Sequence, residues 1–221
     1  MFEIYNDNNT CLDVRYRAIG DLATNVYIIR DGSTTIVVDP ADHADFIIQA
    51  LGGDKLDAIF LTHHHIDHIG AACDLRDKTG AKVYASVLDS PIIDGRQPHP
   101  NNFGSVKPCP VDFEISKEGD ISIGTLKFKA LFTPGHSEGS MCLFADARDY
   151  GDGEQSNVLI SGDLLFCGAI GRTDFNGGDM GQMISSLEKI FQLPDNTVVL
   201  TGHNAITTIG LERDRVYRHY C

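Results

Sequence analysis

An α/β chain with its helices laid outside a two-sheet core is the fold class this sequence predicts, and three observations carry that reading. Strand-like apolar runs recur along the whole chain and fall into two β-rich halves, each with helical segments of its own. The length of 221 residues suits one domain of this kind, residues 1–221. Hydrophobic residues make up 42% of the chain and charged ones 22%, enough apolar material to fill a core between layers.

The elements follow in order. Residues 25–30 and 34–39 read as a hairpin turning at Asp31-Gly32. Residues 56–62, 82–85, 126–133, 140–145, 158–161 and 197–201 read as further strands. Helices are expected over 44–51 and over 68–79, the second ended by Gly80. The clearest is 179–191, where Met180, Met183, Ile184, Leu187 and Phe191 recur at helical spacing. Gly177-Gly178 precede it and Pro194 lies beyond it.

Charge and composition narrow the function. The formal net charge is −13, and no run of Lys or Arg offers a stripe for a polyanion, so nucleic acid is not an expected partner. No apolar run reaches the roughly 18 residues that span a bilayer. The first residues lack a basic stretch leading into an apolar one, so a cytoplasmic protein without a membrane partner is expected. The six cysteines are scattered with no C-x-x-C pair, which reads as separate thiols.

The informative feature is where the metal-binding residue types fall. Phe60-Leu61-Thr62 runs into His63, and Leu131-Phe132-Thr133-Pro134-Gly135 runs into His136. Leu159-Ile160-Ser161-Gly162 runs into Asp163, and Val199-Leu200-Thr201-Gly202 into His203. Four apolar strands thus end in Ser or Thr and then deliver a ligand-type side chain from a rigid base. In Thr62-His63-His64-His65-Ile66-Asp67-His68 an extended backbone sends His63 and His65 the same way and His64 the other. Asp67 and His68 follow as the chain turns into a helix and are in reach of a second metal. Imidazole and carboxylate together suit zinc, and also iron or manganese.

The pattern His-x-His-x-Asp-His, with His136, Asp163 and His203 following in order, resembles the signature of the metallo-β-lactamase-fold hydrolases. Thr-Pro-Gly-His-Ser at 133–137, Gly-Asp-Leu-Leu-Phe at 162–166 and Gly-Arg-Thr-Asp-Phe at 171–175 make it most similar to the glyoxalase II-like (hydroxyacylglutathione hydrolase-like) group. The resemblance implies a four-layer αββα sandwich of two mixed sheets flanked by helices. It implies two divalent metal ions, with His63, His65 and His136 on the first, Asp67, His68 and His203 on the second, and Asp163 between them. It also favours a place for Asp39 beside the metal histidines, where a turn-forming role is the other reading of an Asp before Pro40. The group's C-terminal helical domain, which binds glutathione, has no counterpart in the 18 residues after His203, so the short single-domain subgroup is the better match. Asn204 stands where relatives often carry Gly, and Asn tolerates the left-handed conformation.

The expected chemistry is hydrolysis of a small thioester such as S-lactoylglutathione by a metal-activated water, with Asp67 orienting the nucleophile. Arg172 is a candidate for pairing with a substrate carboxylate, and an ion pair with a neighbouring acid is the alternative. Other readings of the same residues are a single-iron persulfide dioxygenase, a hydrolase of lactones, esters or phosphodiesters, and a metal-dependent nuclease.

Overall fold

The structure is a computed structural model that describes residues 1–5, 10–100, 104–151 and 153–221. Its first sheet runs in the order β1 (Glu3–Ile4), β2 (Asp13–Ile19), β3 (Thr24–Arg30), β4 (Thr35–Val38), β5 (Ala58–Phe60), β6 (Lys82–Ser86) and β7 (Phe113–Ile115). Pairing is antiparallel from β1 to β4 and parallel from β4 to β7. The second sheet contains β8 (Gly119–Ile123), β9 (Leu126–Phe132), β10 (Met141–Ala145) and β11 (Val158–Gly162). A small separate hairpin follows, β12 (Leu165–Phe166) with β13 (Ala169–Ile170). Then β14 (Val198–Thr201) joins β11 in parallel, and β15 (Thr207–Thr208) closes the edge.

Period-2 alternation decides what each face meets. On β3 and β4, Tyr27, Ile29, Ile36 and Val38 point inward, against Phe128, Leu143, Ile160 and Leu200 of the second sheet. The intervening Ile28 and Val37 face outward and join Ile47 of α1 (Ala44–Ala50). Between β5 and β6 the chain forms α2 (Ile66–Ile69) and α3 (Ala72–Thr79), and Leu75 of α3 packs on the same outer face. A short α4 (Ser90–Ile93) follows β6. On the far side, Leu159 and Val199 meet Met183, Leu187 and Ile190 of α5 (Met180–Ile190). Short α6 (Ile209–Glu212) and α7 (Arg218–Tyr220) lie beyond β15. Helix, sheet, sheet and helix stack as the four expected layers.

Two expectations need adjustment. The helix foreseen over 68–79 is two helices, because the chain bends at Gly70-Ala71. Gly70 lies so close to the backbone of Ala41 that a Cβ would fall 2.1 Å from its carbonyl oxygen. The expected strands also omit β2 and β8, where Asp13, Arg15 and Arg17 dilute one pattern and two residues in five are apolar in the other, and the two- and three-residue strands β1, β7, β12, β13 and β15, too short to show a period.

The strands align their C-terminal ends. Val38 pairs with Phe60 across β4 and β5, so Asp39 and the 61–63 segment emerge together. Ile160 pairs with Leu200 but Gly162 pairs with Thr201, which leaves Ser161 as an extra residue in β11. Helix α5 begins where Asp179 accepts a hydrogen bond from the Gln182 amide at 2.7 Å, and the Asp179 amide donates to the Gly135 carbonyl at 2.9 Å. This contact fixes the loop before His136 against the helix. Gly135 has φ +138°, and a Cβ there would lie 2.4 Å from the Met183 Cα. Replacing Gly135 with Ala should therefore lower unfolding free energy by about 2–4 kcal/mol through overpacking and backbone strain, as read by chemical denaturation.

Candidate metal centre

The strand ends described above deliver their side chains to one place between the sheet edges. His63, His65 and His136 present ring nitrogens within 4.8 Å of one another, and so do the ligand atoms of Asp67, His68 and His203. Asp163 lies between the groups: Oδ1 is 3.3 Å from His68 Nε2, and Oδ2 is 3.3 Å from His136 Nε2 and 3.5 Å from His203 Nε2. Asp67 Oδ2 sits 3.5 Å from His68 Nε2 and 3.3 Å from His203 Nε2.

Hydrogen bonds around the cluster fix which nitrogen of each ring faces inward. Thr62 Oγ1 gives its proton to Asp39 Oδ2 at 2.7 Å, so it accepts from His63 Nδ1–H at 2.9 Å. His68 Nδ1–H donates to Asp39 Oδ2 at 2.9 Å. His136 Nδ1–H donates to the Arg172 carbonyl at 2.7 Å, and His203 Nδ1–H to the Leu22 carbonyl at 3.1 Å. In each ring Nε2 is the nitrogen turned to the centre, free on His63 and His136 and available on His68 and His203 once its proton is displaced. His63 Nε2, His68 Nε2 and Asp163 Oδ1 are buried there with no hydrogen-bond partner. His65 is turned the other way, its Nδ1 2.8 Å from His136 Nε2. Two imidazole lone pairs at that separation repel unless a cation or a proton lies between them. Buried imidazole nitrogens and carboxylate oxygens converging without hydrogen-bond partners are the ligand set a divalent cation requires, which would replace the protons on His68 and His203, so the residues fit one.

Asp39, at φ +48°, also belongs to a cluster with His63 and His68. Its Oδ1 accepts the Thr62 amide at 2.8 Å, and its Oδ2 is taken by Thr62 and His68. Asp39 therefore orients the histidines, with no oxygen left aimed at the centre.

Electrostatics separate the two groups. Burial pushes His63 well below its usual range, and the charges of His68 and His65 add to this. Burial takes His65 down to about 2, with His136 and His64 contributing, and burial lowers His136 against the pull of Asp163. Burial also opposes charging of His68, but Asp163 and Asp39 overcome it and hold it well above its usual range. His203 is raised to about 9, burial being outweighed by hydrogen bonds with Asp163 and Asp67. For Asp67 and Asp163 burial acts upward, yet the neighbouring His203 and His68 hold both carboxyls far below their usual range.

The remaining candidates lie apart from the centre. His64 turns away and pairs with buried Asp89, Nδ1 to Oδ1 at 3.0 Å. The Arg172 side chain is an exposed fork on Asp174, with two hydrogen bonds of 2.7 Å, and its guanidinium lies 3.6 Å from the centroid of the Phe175 ring. Phe175 in turn packs edge-on to His65. What Arg172 gives the centre is its carbonyl, on His136. Asn204 adopts φ +66°, the left-handed turn its neighbours require. Sequence reasoning missed Thr62, Leu22 and Thr24, the last of which donates to Asp67 Oδ2 at 2.9 Å. Thr62 carried a signal, as the hydroxyl residue ending its strand. A backbone carbonyl such as that of Leu22 carries none.

Residues 19–203 match the family described as the metallo-beta-lactamase superfamily. The chain is 34% identical to a probable metallo-hydrolase, YqgX, of Bacillus subtilis, over 91% of this chain and 94% of that one. It is 31% identical to the hydroxyacylglutathione hydrolase GloC of Haemophilus influenzae, over 83% of this chain and 86% of that one. Among solved structures, the BLEG-1 B3 metallo-beta-lactamase superposes with a TM-score of 0.79 at 34% identity, covering 91% of this chain and 96% of that one. TTHA1623, solved in a di-iron-bound form, gives a TM-score of 0.75 at 32% identity over 90% and 96%. Fold, ordered strand-end residues and the match over most of its length lead to one conclusion: the chain belongs to the metallo-beta-lactamase superfamily.

Proposed function

We propose that this chain is a hydrolase of small acyl thioesters of the hydroxyacylglutathione kind. Two divalent cations, zinc or iron, would be held by His63, His65 and His136 and by Asp67, His68 and His203, with Asp163 shared. The observation that carries the reading is the Asp163 carboxylate, whose two oxygens face histidines of both groups at 3.3 Å. The thioester class is supported by the similarity to a relative named as a hydroxyacylglutathione hydrolase.

When bound, such cations bring the pKa of water near 7 and polarise a carbonyl. The chain's residues supply the rest. Asp67, held ionised by His203 and His68, is an acceptor able to orient the attacking water's proton. Thr24 keeps that carboxylate in place. Asp39 holds the tautomer of His68 directly, and that of His63 through Thr62. A thioester asks least of such a site, because its thiol has a pKa of about 8.5 and leaves as thiolate without a proton donor. An amide would need a proton delivered to its amine.

Zinc-loaded protein should hydrolyse S-lactoylglutathione or another member of an acyl-thioester panel, followed by thiol release. Asp163→Asn should lower turnover by at least about 100-fold and reduce metal content below two per chain. No turnover on any thioester would overturn the substrate class. One iron per chain, with oxygen uptake on a persulfide, would replace hydrolysis by the dioxygenase reading.

Loading should also release protons unequally. At pH 7 in the metal-free chain His63, His65 and His136 are neutral, whereas His68 and His203 are charged. The first cation should displace no histidine proton and the second about two, so the second affinity should fall about 100-fold per pH unit below neutrality. Calorimetry in buffers of different ionisation enthalpy measures the count. Without metal the sign is opposite. The raised pKa of His203 stabilises the fold below its usual value of 6.5, and that contribution is lost as pH rises through about 9. The melting temperature of chelator-treated protein should accordingly fall between pH 7 and pH 10, as read by circular dichroism.

A further inference from the structure

We infer that the entry into β3, residues 22–25, is a clamp that positions the second metal group, with Thr24 as its positioning residue; this rests on the two-cation reading above. The turn joining β2 to β3 sets its shape. The Ala23 amide donates to the Gly20 carbonyl at 3.1 Å, and Ala23 adopts φ +52°, a left-handed conformation that a residue with a Cβ rarely takes. That turn aims the Leu22 carbonyl at His203, whose Nδ1–H donates to it at 3.1 Å. One residue after Ala23, Thr24, wholly buried, donates its hydroxyl proton to Asp67 Oδ2 at 2.9 Å. Asp67 Oδ2 is the oxygen that faces His68 and His203, so Thr24 occupies one lone pair and leaves the other for the centre.

Asn25 completes the arrangement. Its amide donates to the Gly202 carbonyl at 2.8 Å, and its side-chain amide donates to the carbonyls of Thr201 at 3.0 Å and Asn204 at 2.9 Å. Leu22 in the turn and Thr24 and Asn25 at the start of β3 thus hold Asp67 directly and both flanks of His203 in the second sheet. The first group has none of these contacts: His63 leans on Thr62 and His136 on the Arg172 carbonyl, while Asp39 serves both groups, His68 directly and His63 through Thr62. A disturbance at 22–25 therefore acts on the second cation and spares the first. The strained Ala23 is the feature a purely structural hairpin would lack, since Gly would serve the turn with less strain.

The test is titration of chelator-treated chain with Zn2+ by calorimetry, with folding of each variant checked by its thermal melt. Wild type should take up two equivalents. In Thr24→Val the first should bind within about twofold of wild type and the second about tenfold or more weakly, and Thr24→Ser should restore the second. Ala23→Gly keeps every side chain of the clamp and loosens only the turn. It should weaken the second equivalent alone with little change in melting temperature, and it decides between the outcomes should Thr24→Val fold poorly. Unchanged second binding in both variants, or equal weakening of both equivalents, overturns the clamp while leaving the two-cation reading standing. A wild-type chain that takes up one equivalent overturns that reading, and the clamp with it.

Discussion

Asp39 is a carboxylate almost wholly out of water at the end of a central strand, in a backbone conformation that resists side chains. Such a group is costly unless every oxygen is matched. Here Thr62 supplies two donors and His68 a third, from the loop that follows the neighbouring strand. Residues 62–68 satisfy the carboxylate by curling around it, and that same curl sends His63 Nε2 and His68 Nε2 to the centre. The burial of one carboxyl and the shape of the 62–68 loop are a single constraint. Parallel pairing of β4 with β5 brings the two partners to the same level before either side chain acts.

The second sheet answers with its own strand ends. Asp163 and His203 leave the adjacent parallel strands β11 and β14, and His136 leaves the loop after β9 under the start of α5. The centre therefore lies where the layers meet, and its geometry depends on how one sheet sits against the other. Tyr27 and Asn25 tie that seam directly, both reaching the Thr201 carbonyl. The acidic and imidazole side chains are packed so closely that their charges set one another. The deeply buried histidines of the first group are kept neutral, and the carboxylates keep His68 and His203 charged.

Much of this is legible in the order of the residues. Apolar runs ending in Ser or Thr, followed by His or Asp, are local patterns, and the four layers follow from alternation on β3 and β4. What escapes is non-local. Thr24 touches Asp67 across 43 residues, and the carbonyls of Leu22 and Arg172 have no letter in the sequence that marks them. At the break between α2 and α3 the Ala71 amide donates to the Pro40 carbonyl, a contact that helical spacing over 68–79 cannot reveal. Arg172 is readable as a charge but not as a partner for Asp174 in preference to a substrate.

The extra residue in β11 has a consequence of parity. Val158 and Ile160 face the space between the sheets, and simple alternation would give Gly162 the same side and turn Asp163 toward α5. Accommodating Ser161 without a partner resets the count, and its hydroxyl is absorbed by the carbonyls of Leu165 and Leu200. Odd and even are exchanged over one step, and the Asp163 carboxylate lands on the inner side, between the two histidine groups. A change of length by one between Ile160 and Asp163 would exchange odd and even again and send that carboxylate to the α5 side, an alteration that repacking cannot mend.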